Sequence, residues 1–492
     1  METANALESD LSLLPVGDIF RTMPYNKALR ERMARTAVEL ERNPDKSFPC
    51  ALGQAGYTAF LRMIHNPRVL ERPPLEAVIQ DAVARATSAG LVLAIHDTTE
   101  LHFGGKKRRV GLGRLNKNDQ GFLGHFSLAA TADGSRQALG LLSVQTIVRQ
   151  EENVSGQSDL KRYLDPNKES LKWQRGIAEV RERLAGKASV VHVADRESDD
   201  YALFCDLVDN DDRFVLRLNY DRLLASAPSG LPPGVRKVRE AFAHLIEGLC
   251  EREVPLSPRP RSSRPDERKK QPPRQGRLAR LRFQAMGVEL RRPDNVPKEL
   301  PATLKVNIVA VREIDPPAGE EPVGWWLITR EPIDTAEQVL QVVDWYRARW
   351  LIEELNKALK TGCAYEKRQL ESLGVLQIAL YLLLPIAVNL LRLRSTAQHA
   401  PETPASEVLD QDHVDVLRET GRKRLPDNPT VRAVLLAIAA LGGHLVQNGE
   451  PGWLVLSRGM QVLEERVLAW RACREHLAEL SAAKARKKCD LS

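Results

Sequence analysis

Two short apolar runs, each closed by an aspartate, constrain this chain most: LVLAIHD over 91–97 and ASVVHVAD over 188–195. Runs of that length read as buried strands. An acid closing such a strand lies at the edge of an open α/β sheet, where ligands bind. GHFSLAAT and LGLLSVQTI, separated by the turn Asp133-Gly134, add two strands expected to form a meander with the first. RFVLRLNY from Arg213 is a fifth strand, and a helix is expected from about Leu171 to Leu184, stopping before Gly186. Asp195 also has an ordinary reading, as the N-cap of a helix opened by the acid-rich DRESDD.

Helical segments flank this α/β core. Residues 1–70 are expected to be a helical, DNA-binding domain, with KALRERMARTAVELER over 27–42 carrying Arg30, Arg32 and Arg35, and a second helix from Leu52 to Ile64. A helical cap with a solvated basic face reads equally well there. The core is expected over 71–395, interrupted at about 219–335 by a β-rich insertion with strands LARLRFQAMGVELRR, LKVNIVAVRE and GWWLITRE. Within it, the stretch 255–280 is a cationic, Pro-rich arm. Trp325 and Trp326 alternate across their strand, so one is expected in the core and the other is available to stack on a base. Residues 396–492 are expected to be helical and to pair with a second copy.

A net charge of +7 favours a polyanionic partner. Lys106-Lys107-Arg108-Arg109 reads as a basic loop open to a phosphate backbone. No two of the six cysteines are spaced as a zinc knuckle or redox pair, which points to a reducing compartment, and the acidic start METANALESD is no signal peptide. Leu373 to Leu391 approaches the length of a membrane span, yet Gln377, Pro385 and Asn389 make a buried helix the better reading. No membrane is expected, and a cytoplasmic, nucleoid-associated location is expected. His96, His125 and His192 fall in strand-like runs and are expected to be packed rather than catalytic.

The remaining chemistry sits in DWYRARWLIEELNKALK over 344–360, which reads as one helix. At about 100° per residue, Tyr346, Arg349, Glu353 and Lys360 fall inside an arc of roughly 60°, and Glu354 lies roughly 80° from Tyr346. The stripe offers a carboxylate for a divalent metal and three groups for phosphate oxygens. Residues at such spacings also make plain solvated faces. Two strand-end aspartates in one sheet sharpen the metal reading, because close carboxylates repel unless a cation sits between them. Glu353 would complete a two-metal site for phosphoryl transfer.

Tyr346-Arg349-Glu353-Lys360, with DTT at Asp97 and ADRE at Asp195, resembles the bacterial insertion-sequence-four family of DDE transposases, which carries a Tyr-Arg-Glu-Lys signature. NPRV near Asn66, RFVLR near Arg213, WWLITREP near Trp325 and LAIAALGGHL near Leu436 extend the likeness over nearly the whole chain. The resemblance implies a ribonuclease-H-like catalytic core with an inserted β-subdomain, between N-terminal and C-terminal helical domains. It implies that Asp97, Asp195 and Glu353 hold two Mg²⁺ ions, with Mn²⁺ as a substitute. Tyr346, Arg349 and Lys360 would hold phosphates, Trp325 would stack on a flipped base, and Arg217 would lie near the site. The implied partners are double-stranded DNA with terminal inverted repeats, target DNA, and a second copy in a synaptic homodimer. The implied activity is cut-and-paste transposition through a hairpin intermediate. The alternatives are a metal nuclease without strand transfer and an inactive DNA-binding inhibitor dimer.

Overall fold

The computed structural model describes residues 12–105, 107–115, 119–149, 168–245, 248–256, 258 and 273–489. Most of the cationic Pro-rich arm, Lys106, and the side chains of the basic run Lys484 to Lys488 lie outside the described residues. In chain order the helices are α1 (Val16–Arg21), α2 (Lys27–Arg42), α3 (Phe48–Ile64), α4 (Pro67–Glu71), α5 (Leu75–Ala89), α6 (Leu171–Leu184), α7 (Tyr201–Asp209), α8 (Val238–Ala243), α9 (Ala336–Ala348), α10 (Trp350–Lys357), α11 (Leu373–His399), α12 (Gln411–Thr420), α13 (Val431–Leu441) and α14 (Trp453–Cys489). The strands are β1 (Leu91–Phe103), β2 (Gly113–Arg114), β3 (Gln120–Thr131), β4 (Ala138–Ile147), β5 (Ser189–Ala194), β6 (Arg213–Arg217), β7 (Cys250–Leu256), β8 (Arg277–Arg291), β9 (Thr303–Glu313) and β10 (Gly324–Thr329). The protein is thus a mixed α/β fold. Its contacts divide it into two compact units: Met1–Glu152 with Glu179–Ser189 and Trp350–Ser492, and Asn153–Ala178 with Val190–Arg349.

In the first unit β1, β3 and β4 form the expected antiparallel meander. One expectation changes. β1 does not end at Asp97 but runs thirteen residues to Phe103, with Asp97 opposite Phe126 in mid-strand. The continuation TTELHF keeps the alternation that a half-buried strand needs, with Leu101 and Phe103 fully buried. The N-terminal helices follow their apolar periodicity. α2 is capped by Asn26, whose Oδ1 accepts from the Leu29 N–H at 2.9 Å, and it buries Met33, Ala34, Ala37 and Leu40. α3 starts at Phe48 rather than Leu52 and bends at Gly53, where φ is 65°.

α11 is long and apolar enough to cross a membrane by length and composition, yet 83% of its most apolar window is buried inside the protein. Its polar residue Asn389 is paired locally: Oδ1 accepts from Leu14 N at 2.6 Å, and Nδ2 donates to Leu14 O at 3.1 Å and Glu41 Oε1 at 2.9 Å. Near the C-terminus α13 and α14 touch backbone to backbone. A Cβ on Gly442 would lie 2.0 Å from Val455 O, and one on Gly459 2.0 Å from Ile438 O, so only glycine fits at either position.

The same unit holds a set of titrating groups. Burial, and then the charge of Glu464, push Glu41 up from 4.5 to about 8. Desolvation alone would lower His413, but hydrogen bonds to Asp410 (2.6 Å) and Glu464 (2.8 Å) outweigh it and raise the imidazole from 6.5 to about 9. Both folded-state values lie above their unfolded ones. The stability they contribute is therefore complete at low pH, declines above about 4.5 for Glu41 and 6.5 for His413, and is gone above about 8 and 9 respectively. We predict that thermal melting falls between pH 5.5 and 8.5 by an amount worth about 2 kcal/mol or more. Glu41→Gln should flatten the lower part of that slope, and a Gln variant with the wild-type slope would refute the assignment.

In the second unit β5 and β6 are parallel, and β10 pairs antiparallel with both β6 and β9. β9, β8 and β7 follow antiparallel. The inserted strands therefore continue one sheet rather than standing apart, with β10 as the joint. Tyr201, Phe204, Phe214, Phe242, Ile308 and Ile328 form the centre of this unit's core. α9 packs on β6, β8 and β9 and starts at a capping box, Thr335 with Gln338.

Candidate active site

In the first unit, α10 packs against β1. Glu353 and Asn356 are three apart on α10 and so share a face. The Asn356 Nδ2 donates to Asp97 Oδ2 at 3.4 Å, across 259 residues of chain. The Asn356 Oδ1 is buried with no hydrogen-bond partner. The other glutamate, Glu354, is engaged elsewhere: Lys357 Nζ is 2.6 Å away and Arg394 Nη1 3.8 Å. Lys360 donates from Nζ to the Glu100 carbonyl of β1 at 2.6 Å and lies 3.8 Å from Glu366. His96 and His125 are fully buried, with Nδ1 atoms 2.8 Å from Ser127 Oγ and 2.9 Å from Thr98 Oγ1. His192 is 1% exposed. The packed reading of the histidines holds.

The expected single helix over 344–360 is corrected. Its hydrogen-bond ladder breaks at Arg349, which ends α9, and after α10 the chain widens into a π-helix at Ala358–Gly362. The uniform 100° step therefore does not carry from Tyr346 to Lys360, because a π-turn adds a residue to the ring and resets the register. The break coincides with the division between units: Tyr346 and Arg349 belong to one, Glu353 and Lys360 to the other.

In the second unit Asp195 follows β5 directly. Its Oδ1 accepts from the Glu197 N–H at 2.8 Å and caps a short 3₁₀ turn, Arg196–Ser198, while the α-helix that follows is capped by Asp200, so the capping reading holds for the turn and not for the helix. The turn is held by a residue that the sequence did not single out. Asp199 has a fully buried side chain whose Oδ2 accepts from the Asn219 and Tyr220 N–H groups at 2.7 and 2.8 Å. Arg222 grips it, donating from Nε to Oδ1 and from Nη2 to the Asp199 carbonyl, both at 2.9 Å. The only sequence signal was the second acid pair of DRESDD, which reads equally well as helix capping.

The two tryptophans separate as alternation requires. Trp326 meets Phe242 edge-on at 5.3 Å between centroids, on the core side. Trp325 faces Tyr346, with centroids 6.1 Å apart, and the Arg349 guanidinium stands 5.9 Å from the Tyr346 ring. An aromatic–aromatic–cation series thus runs from β10 to the end of α9. Asp344 anchors that helix to β7 through a two-point bond from Arg252 at 3.0 and 2.7 Å, which raises the Arg252 pKa. Arg217 ends β6 and donates to the Gly324 carbonyl at 3.4 Å.

Two further basic residues were singled out by the sequence. Arg30 lies half-buried on α2. Arg109, expected to be open to phosphate, is structural: it donates to the Arg368 and Gly104 carbonyls at 3.0 and 3.3 Å and covers Phe103 at 5.2 Å. Burial lowers its pKa.

Among the described residues, no group of three or more His, Cys, Asp or Glu side chains forms a ready metal cage. The signature carboxylates are divided, with Asp97 and Glu353 in the first unit and Asp195 in the second. In the first unit the donors are oxygens: the Asp97 and Glu353 carboxylates and, beside Asp97, the Asn356 amide oxygen with an unused lone pair. Oxygen donors suit a hard cation such as Mg²⁺.

No family model matches the chain. Among solved structures, the chain is similar to a cryo-EM structure of the piggyBac transposase synaptic complex with hairpin DNA. The match covers 81% of this chain and 74% of that one, at 10% identity and a TM-score of 0.34, too slight a likeness to bear on function.

Proposed function

We propose that this chain is a cut-and-paste DNA transposase of the DDE type, built on a ribonuclease-H-like core. The observation that carries the reading is the meeting of two signature motifs from opposite ends of the core. The DTT aspartate, Asp97, is reached by Asn356, one turn beyond the signature glutamate, Glu353. Nothing local in the sequence requires that meeting.

On this reading Asp97, Asp195 and Glu353 hold two Mg²⁺ ions, with Mn²⁺ as substitute, which supply the positive charge that in-line phosphoryl transfer needs. Arg349 and Tyr346 grip phosphate oxygens of the transposon end. Lys360 joins them by exchanging the Glu100 carbonyl for a phosphate, a gain for an ammonium that bonds better to an anion. The steps are nicking, hairpin formation on the transposon end, hairpin opening, and joining to target DNA within a homodimer. A tight hairpin unstacks a base, and Trp325 offers that base a ring.

The test uses purified protein, Mg²⁺, and DNA ending in the inverted repeats that flank the gene. A hairpin on a denaturing gel and joined product in a circular target are expected. Cutting without joining would favour a nuclease, and binding without cutting an inhibitor dimer. Trp325→Ala should lower hairpin yield about tenfold, from the loss of one base–aromatic stack, while the first nick stays near wild type. Equal loss of nick and hairpin would show that Trp325 serves the fold instead.

A further inference from the structure

We propose that Asn356 is a further working residue of the metal site: its Nδ2 orients Asp97, and its Oδ1 is an acceptor for the hydrated cation held beside it. The inference rests on the metal reading above and goes beyond its three carboxylates. Three observations carry it. Asn356 sits one turn after Glu353 on α10, so its side chain leaves the same helix face. Its Nδ2 donates to Asp97 Oδ2 at 3.4 Å, which turns that end of the amide toward the carboxylate. Its Oδ1 is buried and unpartnered. A buried amide oxygen with no donor is destabilising, and asparagine is also a poor helix former, so neither packing nor helix propensity accounts for the residue. A cation, or a water on it, would supply that partner. A carboxamide adds an oxygen without a fourth negative charge and so avoids further repulsion among carboxylates.

The test reads binding rather than cleavage: Mn²⁺ titrations of the full chain followed by electron paramagnetic resonance, with melting curves in the absence of metal. Wild type, Asp97→Asn, Asn356→Leu and Asn356→Asp are compared. Asn356→Leu should weaken Mn²⁺ binding about tenfold or more, as loss of residues supporting metal ligands does, with metal-free melting unchanged or raised because the orphan oxygen is gone. Asn356→Asp, with nearly the same shape, should melt lower than wild type without metal and gain more on adding Mn²⁺. Wild-type Mn²⁺ affinity in Asn356→Leu, or wild-type behaviour of Asn356→Asp in both melts, overturns the proposal. The parent reading fails differently: Asp97→Asn then titrates like wild type, whatever Asn356 does.

Discussion

Alanine at Asp97, Asp195 or Glu353 is expected to abolish Mg²⁺-dependent cleavage of transposon-end DNA while leaving DNA binding intact. Each carboxylate would contribute to holding charge worth several kcal/mol in the transition state, so a loss of about 10³-fold or more follows. Binding should persist because affinity for DNA comes from phosphate neutralisation by basic residues. Glu354→Ala is the control. Its charge is bound to Lys357 and Arg394, so cleavage should stay near wild type. The measurement is single-turnover cleavage beside a gel-shift assay at one salt concentration. Any of the three variants that cleaves normally removes that residue from the site, and parallel loss of binding would point to a folding defect.

The second large effect concerns stability. Asp199→Ala should destabilise the second unit by about 3–5 kcal/mol, because it leaves the Arg222 guanidinium without its carboxylate in a buried place. It also strips two backbone N–H groups of their acceptor. Asp199→Asn keeps an acceptor and should cost less. Replacing both partners, Asp199→Asn with Arg222→Met, should recover part of the loss, since no lone charge then stays buried. Urea unfolding followed by tryptophan fluorescence reads this loss, with Trp173 and Trp326 of this unit's core among the chain's seven tryptophans. An Asp199→Ala variant as stable as wild type would show that the pair is solvated. Because Asp195 caps the turn that Asp199 holds, Asp199→Ala should also slow cleavage, without Asp199 touching DNA.

That Glu353 and Glu354 leave their helix on different faces was legible from helical periodicity, and Glu354 is the one engaged by Lys357 and Arg394. So were the strands of the meander and of the insertion, whose apolar alternation is local. Where β1 ends was not legible, because strand length is set by the pairing of Thr98 through Phe103 with β3. The break at Arg349 was equally hidden. Its flanks carry no Gly or Pro, so the composition leaves no mark of it.

The kinds of element and the basic charge follow from the residues alone, because each depends on composition or on neighbours within a few positions. Only the tertiary structure decided that Arg109 braces a loop instead of meeting phosphate, that Asp199 clamps the turn after Asp195, and that Asn356 reaches Asp97. Those roles rest on partners up to 259 residues away, and a hydrogen bond between such partners depends on distance in space, which no local pattern of residues encodes.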